Sequence, residues 1–185
     1  MRIAVYPGSF DPLHIGHLAI LRALGQSSLF DCTYLLVSPQ NPLKIRSTAA
    51  SALERTAAAQ AALARHPELN ARLDEIELSM APPTYTIRTL DALQEREPGN
   101  DFTLVMGADN LAQIRRWRDY GRILSEFGVA VYPRKGFDLD ALKLELLAES
   151  GDYRIEVLDA PLVDISSTEI RNTLSEGKDV SGYLM

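Results

Sequence analysis

Two histidines three residues apart, His14 and His17, follow a strand-like run and a Pro-Gly turn in the stretch VYPGSFDPLHIGH, residues 5–17. If Pro12 leads into a helix over IGHLAILRAL, both imidazoles stand on its first turn and project to one side. A helix amino terminus offers unpaired N–H groups and the positive end of its dipole, so two imidazole donors beside it would make a clamp for a phosphate. Gly8, directly after RIAVY, lets backbone approach a ligand with no side chain between them. The same spacing also fits two capping or surface histidines. As a metal site it has no obvious third ligand in the sequence: His66 is the only other histidine, and the single Cys32 rules out a cysteine-based zinc site.

A second anion site is legible in VDISSTEIRNTL, residues 163–174. Ser166 stands three residues before Glu169, which is the capping-box pattern for a helix start. The hydroxyls of Ser167 and Thr168, with Arg171 one turn later, add donors to that start. Two anion sites on one chain suit a triphosphate.

Between them, LVMGADNLAQIRRWRDY places Gly107 and Asp109 directly after a strand-like run. Glycine there admits a ligand, and the carboxylate can accept from a ribose or position a hydrated metal ion. Trp117, the sole tryptophan, is either a core residue or an aromatic face for a flat heterocycle. The loop SPQNPLKIR carries Lys44 and Arg46, and PRKG carries Arg134 and Lys135. Such loop cations are often only solvated, but together with Arg171 they can supply the local positive charge that a chain of net charge −6 needs to hold a polyanion. The same net charge argues against a broad nucleic-acid surface.

The elements that must position these residues alternate in type. Runs at 2–6, 33–38, 71–79, 102–106, 129–133 and 153–158 read as strands. Helices are predicted from residue 15 onward and over 47–66, 86–97, 140–149 and 167–176, with stop signals at Pro67 and at Pro98-Gly99. Alternation with nearly continuous apolar strands predicts an α/β fold, a doubly wound parallel sheet of Rossmann-like type, with the chemistry at the carboxyl ends of the strands. At 185 residues, 46% hydrophobic and 24% charged, the chain is expected to fold as one domain over 1–185. No apolar run approaches the roughly 18 residues of a membrane span, and no signal-peptide core is present, so a cytoplasmic protein that binds neither membrane nor nucleic acid is expected. Cys32, beside TYLLV, is expected to be buried.

The pairing of GSFDPLHIGH with ISSTEIR resembles the H-x-G-H nucleotidylyltransferase superfamily. Within it, PPTYTIRTL, MGADN, the NPLK loop and Trp117 resemble the nicotinate-nucleotide adenylyltransferases over nearly the whole chain. That resemblance implies transfer of AMP from ATP, accompanied by Mg²⁺, to nicotinate mononucleotide, giving deamido-NAD and pyrophosphate in NAD biosynthesis. It implies His14 and His17 as catalytic residues without a metal ligand set. It also implies ATP contacts from Gly8, Ser9, Phe10, His14, Gly16, His17, Gly107, Asp109, Ser167, Thr168 and Arg171. Asn41, Lys44, Thr86, Trp117 and Arg134 would meet the acceptor, with Trp117 stacking on its ring. Oligomeric state stays open, a homodimer included. So do three other readings: nicotinamide mononucleotide or phosphopantetheine as the acceptor, and a non-catalytic nucleotide binder on the same fold.

Overall fold

In the computed structural model, residues 1–39, 51–162 and 165–185 are described. Six parallel strands form one sheet: β1 (Arg2–Gly8), β2 (Cys32–Val37), β3 (Ala71–Asp74), β4 (Asp101–Gly107), β5 (Val129–Tyr132) and β6 (Ile155–Val157). Their order is β3-β2-β1-β4-β5-β6, so the chain winds outward in one direction from β1 and in the other from β4. The crevice between the carboxyl ends of β1 and β4 is the switch point where open α/β sheets bind ligands.

Alternate residues of the strands feed two apolar cores, as the pleat requires. On one face Ile3, Val5, Leu36, Leu104 and Met106 meet Ile87, Leu90 and Leu93 of α3 (Thr86–Arg96). On the other, Ala4, Tyr6, Leu35 and Val105 meet Leu18, Leu21 and Leu24 of α1 (Ile15–Gln26) and Ala59, Ala62 and Leu63 of α2 (Ala52–Ala64). Burial on both faces explains why the strands read as apolar runs. Two further helices, α6 (Leu139–Glu149) and α7 (Ser167–Ser175), lie between β5 and β6 and after β6. No helix among the described residues is long and apolar enough to cross a membrane.

Two of the expected elements differ markedly from the observed ones. The run 71–79 is a strand only to Asp74, after which Ile76–Ser79 turns as a 3₁₀-helix. Asp74 causes the break: its Oδ1 accepts the Ile76 N–H at 3.1 Å, and its carboxylate accepts both arms of Arg96 at 3.1 and 2.6 Å. The second helix starts at Ala52 instead of residue 47, capped by Ser51 and Glu54, with 47–50 outside the described residues. After β4 the chain forms short turns: α4 (Ala108–Leu111), a 3₁₀ turn at Ile114–Arg116, and α5 (Tyr120–Arg122) running into a π-turn. Gly128, at φ 77°, ends that series and starts β5.

Near its carboxyl end α1 passes close to the Pro67–Leu69 turn, where a β-carbon on Gly25 would stand 2.9 Å from the Leu69 carbonyl oxygen. Alanine is the better helix former by about 1 kcal/mol, but displacing backbone costs about 1–3 kcal/mol. Gly25→Ala is therefore expected to lower stability by roughly 1 kcal/mol in urea denaturation. A stabilised variant would show that the contact yields freely.

Candidate functional site

A cleft of about 550 Å³ opens at the carboxyl ends of β1 and β4. Gly8, Ser9, Phe10, His14, Gly16 and His17 form one wall. His14 is the N-cap of α1, 4% exposed, and its Nδ1 accepts the Gly16 N–H at 3.1 Å. Nδ1 of His17 accepts the His14 N–H at 3.2 Å. The H-x-x-H spacing is thus a capping box in which both side chains are imidazoles. Because a backbone N–H only donates, each Nδ1 is unprotonated and the proton of each ring sits on Nε2. Capping leaves each histidine a single donor, Nε2–H.

The two rings lie 3.7 Å apart, tilted by 31°. Burial pushes the His14 pKa down to about 4, the nearby Arg134 charge adds to this, and Glu169 opposes it. His14 is therefore a neutral donor at pH 7. Gly16 makes this possible: a β-carbon there would stand 2.9 Å from the His14 ring and 3.2 Å from Ile165. Phe10 takes a left-handed φ of 44°, a backbone state costly for a bulky residue, and its ring packs edge-on to His17 at 5.0 Å. Gly8 leaves space for that ring, since a β-carbon would approach it to 2.7 Å.

The facing wall is the start of α7. The Ser166 hydroxyl accepts the Glu169 N–H at 3.2 Å, and the Glu169 carboxylate accepts the Ser166 N–H at 2.8 Å. Ser167 and Thr168 line the cleft, and the Ser167 hydroxyl donates to the Pro12 carbonyl at 3.2 Å. Arg171 is not among the cleft-lining residues. Its guanidinium donates to Thr168 Oγ1 at 3.1 Å and to the Asp11 carbonyl, which ties α7 to the β1–α1 loop. The amino termini of two helices consequently open on one cavity.

Beyond β4, Asp109 and Arg134 line the cleft and pair at 3.4 Å. Gly107 ends β4 without lining the cavity, and the room it leaves is taken by Asp109, Tyr132 and Arg134. Thr86 and Trp117 line the other end with Tyr85. Trp117 also packs against the larger core, so the core and ligand-facing readings of this residue describe the same placement. Asn41 and Lys44 lie outside the described residues.

Sequence reasoning missed Arg55 and Glu77. Arg55 of α2 is 7% exposed, and its guanidinium donates to the carbonyls of Ser9, Ser38 and Pro39, joining the loops after β1 and β2. In an alanine-rich helix it read as one more interspersed charge. Glu77 lines the cleft and accepts from the Thr89 hydroxyl at 2.9 Å, and burial raises its pKa. Its position within an apparent strand hid it.

Comparison with known proteins shows the same family along the chain. The family model described as "Cytidylyltransferase-like" matches residues 5–173. A Flavobacterium johnsoniae protein named "Probable nicotinate-nucleotide adenylyltransferase" is 35% identical over 184 residues, spanning 100% of this chain and 92% of its own length. A protein of the same name from Bacteroides fragilis is 35% identical over 183 residues, 99% of this chain and 87% of its own. The solved structure "Plasmodium falciparum nicotinic acid mononucleotide adenylyltransferase complexed with NaAD" superposes with a TM-score of 0.79 at 20% identity, covering 99% of this chain and 90% of that one. That last likeness establishes the fold.

The buried cap has a measurable signature. With the folded His14 pKa below its ordinary value of about 6.5, its contribution to stability is full above that pH and is lost as pH falls toward 4. An NMR titration of the imidazole protons should give His14 a midpoint near 4. A midpoint close to the ordinary value would contradict the buried, neutral cap.

Proposed function

The chain belongs to the nicotinate-nucleotide adenylyltransferases of the cytidylyltransferase-like family, and from that premise we propose how its residues transfer AMP from ATP to nicotinate mononucleotide. The observation that carries the reading is the convergence of two helix amino termini and two imidazole Nε2–H donors on one cleft. In this reading residues 1–185 form a single nucleotidylyltransferase domain working in the cytoplasm, a setting that fits the use of ATP.

A 5′-phosphate oxygen of the acceptor attacks the α-phosphorus of ATP. The new P–O bond forms as the bond to the bridging oxygen breaks, and pyrophosphate leaves with that electron pair. The attacking oxygen is already ionised at neutral pH, so no strong base and no covalent enzyme intermediate are needed. What the protein must supply is alignment of two mutually repelling anions and donors for the charge that grows on pyrophosphate. His14 and His17 give Nε2–H donors on one side, and the backbone N–H groups of Ser167 and Thr168 at the start of α7, with the Thr168 hydroxyl, give donors on the other. Arg171 acts from behind by holding the two walls together. Among the described residues no group of three or more His, Cys, Asp or Glu side chains could hold a metal. In this reading Mg²⁺ accompanies the ATP phosphates.

At the acceptor end, α3 begins after Tyr85 with no side chain capping it, and Thr84, Tyr85 and Thr86 line the cleft. Uncapped N–H groups at a helix start favour a carboxylate, whereas an amide brings donors of its own. Trp117 offers a face for the pyridine ring.

Pyrophosphate release with ATP and Mg²⁺, run in parallel with nicotinate mononucleotide, nicotinamide mononucleotide and phosphopantetheine, tests the assignment. The acid should be preferred by more than about tenfold, in line with recognition of one charged group. Equal use of the first two defeats acid specificity, and ATP binding without pyrophosphate release would mark a silent binder. His17→Ala should lose about 10²–10³ in kcat while still unfolding cooperatively. Near-normal turnover in that variant would remove His17 from the mechanism.

A further inference from the structure

We propose that Arg116 and Arg118, which flank Trp117 at the mouth of the cleft, make the site prefer an acceptor ring bearing a carboxylate to one bearing an amide. The proposal deepens the adenylyl-transfer reading above and rests on it. Nicotinate and nicotinamide rings are nearly the same size and shape, so packing against Trp117 and Tyr85 cannot separate them. They differ in one negative charge as well as in hydrogen-bond polarity, and beside the uncapped N–H groups of α3 it is cations that can read the charge.

The turn Ile114–Arg116 is a fixed platform for such groups. Ile114 is fully buried beneath it, and the Trp117 N–H closes it onto the Ile114 carbonyl at 2.8 Å. The three arginines of this segment have different fates. Arg115 is drawn away from the cleft by Glu149, at 2.5 Å, and Glu145, at 3.8 Å. Arg116 and Arg118 line the cleft with Tyr85 and Thr86. Arg116 has no ion-pair partner among the described residues. Arg118 stands over the Tyr85 ring at 5.2 Å, and among the described residues its ion-pair partner is the adjacent, exposed Asp119 at 3.7 Å.

The other charges around the cleft leave this end positive. Among the described lining residues, the acids are Asp109 and Glu77. Asp109 is held by Arg134, and Glu77 is buried and bound by Thr89. The cations at the mouth therefore face the cavity with little local compensation, next to two aromatic faces suited to a pyridine ring. Because both arginines are exposed, water and salt weaken each one's hold on an anion, and the expected preference per residue is roughly threefold.

The test compares the wild-type chain with Arg116→Gln, Arg118→Gln, the double variant and Arg118→Lys. For each, kcat/KM and the calorimetric dissociation constant are measured with nicotinate and nicotinamide mononucleotide. The acid-to-amide ratio should fall about threefold in each Gln variant and about tenfold in the double variant, through KM more than kcat. Arg118→Lys should keep most of the preference, and added salt should erode it in the wild type. A double variant that retains the wild-type ratio overturns the proposal, as does a wild-type chain that binds both mononucleotides equally. Neither result touches AMP transfer, which continued pyrophosphate release would uphold.

Discussion

Two backbone N–H groups, those of His14 and Gly16, are bonded by imidazole nitrogens, and the chemistry of the cleft follows from those bonds. A helix start must find acceptors for its orphan donors, and serine or aspartate usually supplies them. Here the acceptors are Nδ1 atoms, so capping fixes both tautomers and leaves Nε2–H as each ring's donor. The folding requirement and the catalytic requirement fall on opposite edges of the same two rings. Burial then keeps His14 neutral, so its ring brings no charge to a position 3.7 Å from the His17 ring.

A donor is useful to a transition state only if it is held still, and the ties around the cleft do this. Ser167 and Arg171 bind α7 to the loop before α1, while Arg55 binds that loop to the one after β2. Arg55 is a buried cation whose charge is spread over carbonyl dipoles, an arrangement that holds only while every partner is in place. Asp109 and Arg134 hold each other at the end of β4 and β5. The cleft is thereby framed by stretches of chain that lie far apart in sequence and meet only through these ties.

That distribution explains what could be read from the sequence. The sheet, its parallel sense and the position of the cleft were legible because strands buried on both faces have an unmistakable apolar pattern. Both helix starts were legible because their signals are local: Pro12 just ahead of IGHLAILRAL, and Ser166 three residues before Glu169. Long-range ties were not. Nothing near Arg55 in sequence marks it as the bridge between two loops, and Arg171 carried the signature of an anion ligand while its guanidinium turned to Asp11 and Thr168. Glu77 was masked by a run that looked extended until Asp74 turned it. Trp117 offered two readings that spacing could not separate, and packing places it on the core and the cavity at once.

The central claim is that the imidazole pair and the start of α7 grip one triphosphate from opposite sides. A crystal structure with ATP and Mg²⁺, solved without an acceptor, tests it most directly. The account predicts the β- and γ-phosphates within hydrogen-bonding reach of Nε2 of both histidines, with Nδ1 of each still on its backbone N–H, and the α7 start on the far side. Phosphates seated away from both helix starts, or histidines that abandon their caps to reach the nucleotide, would contradict it.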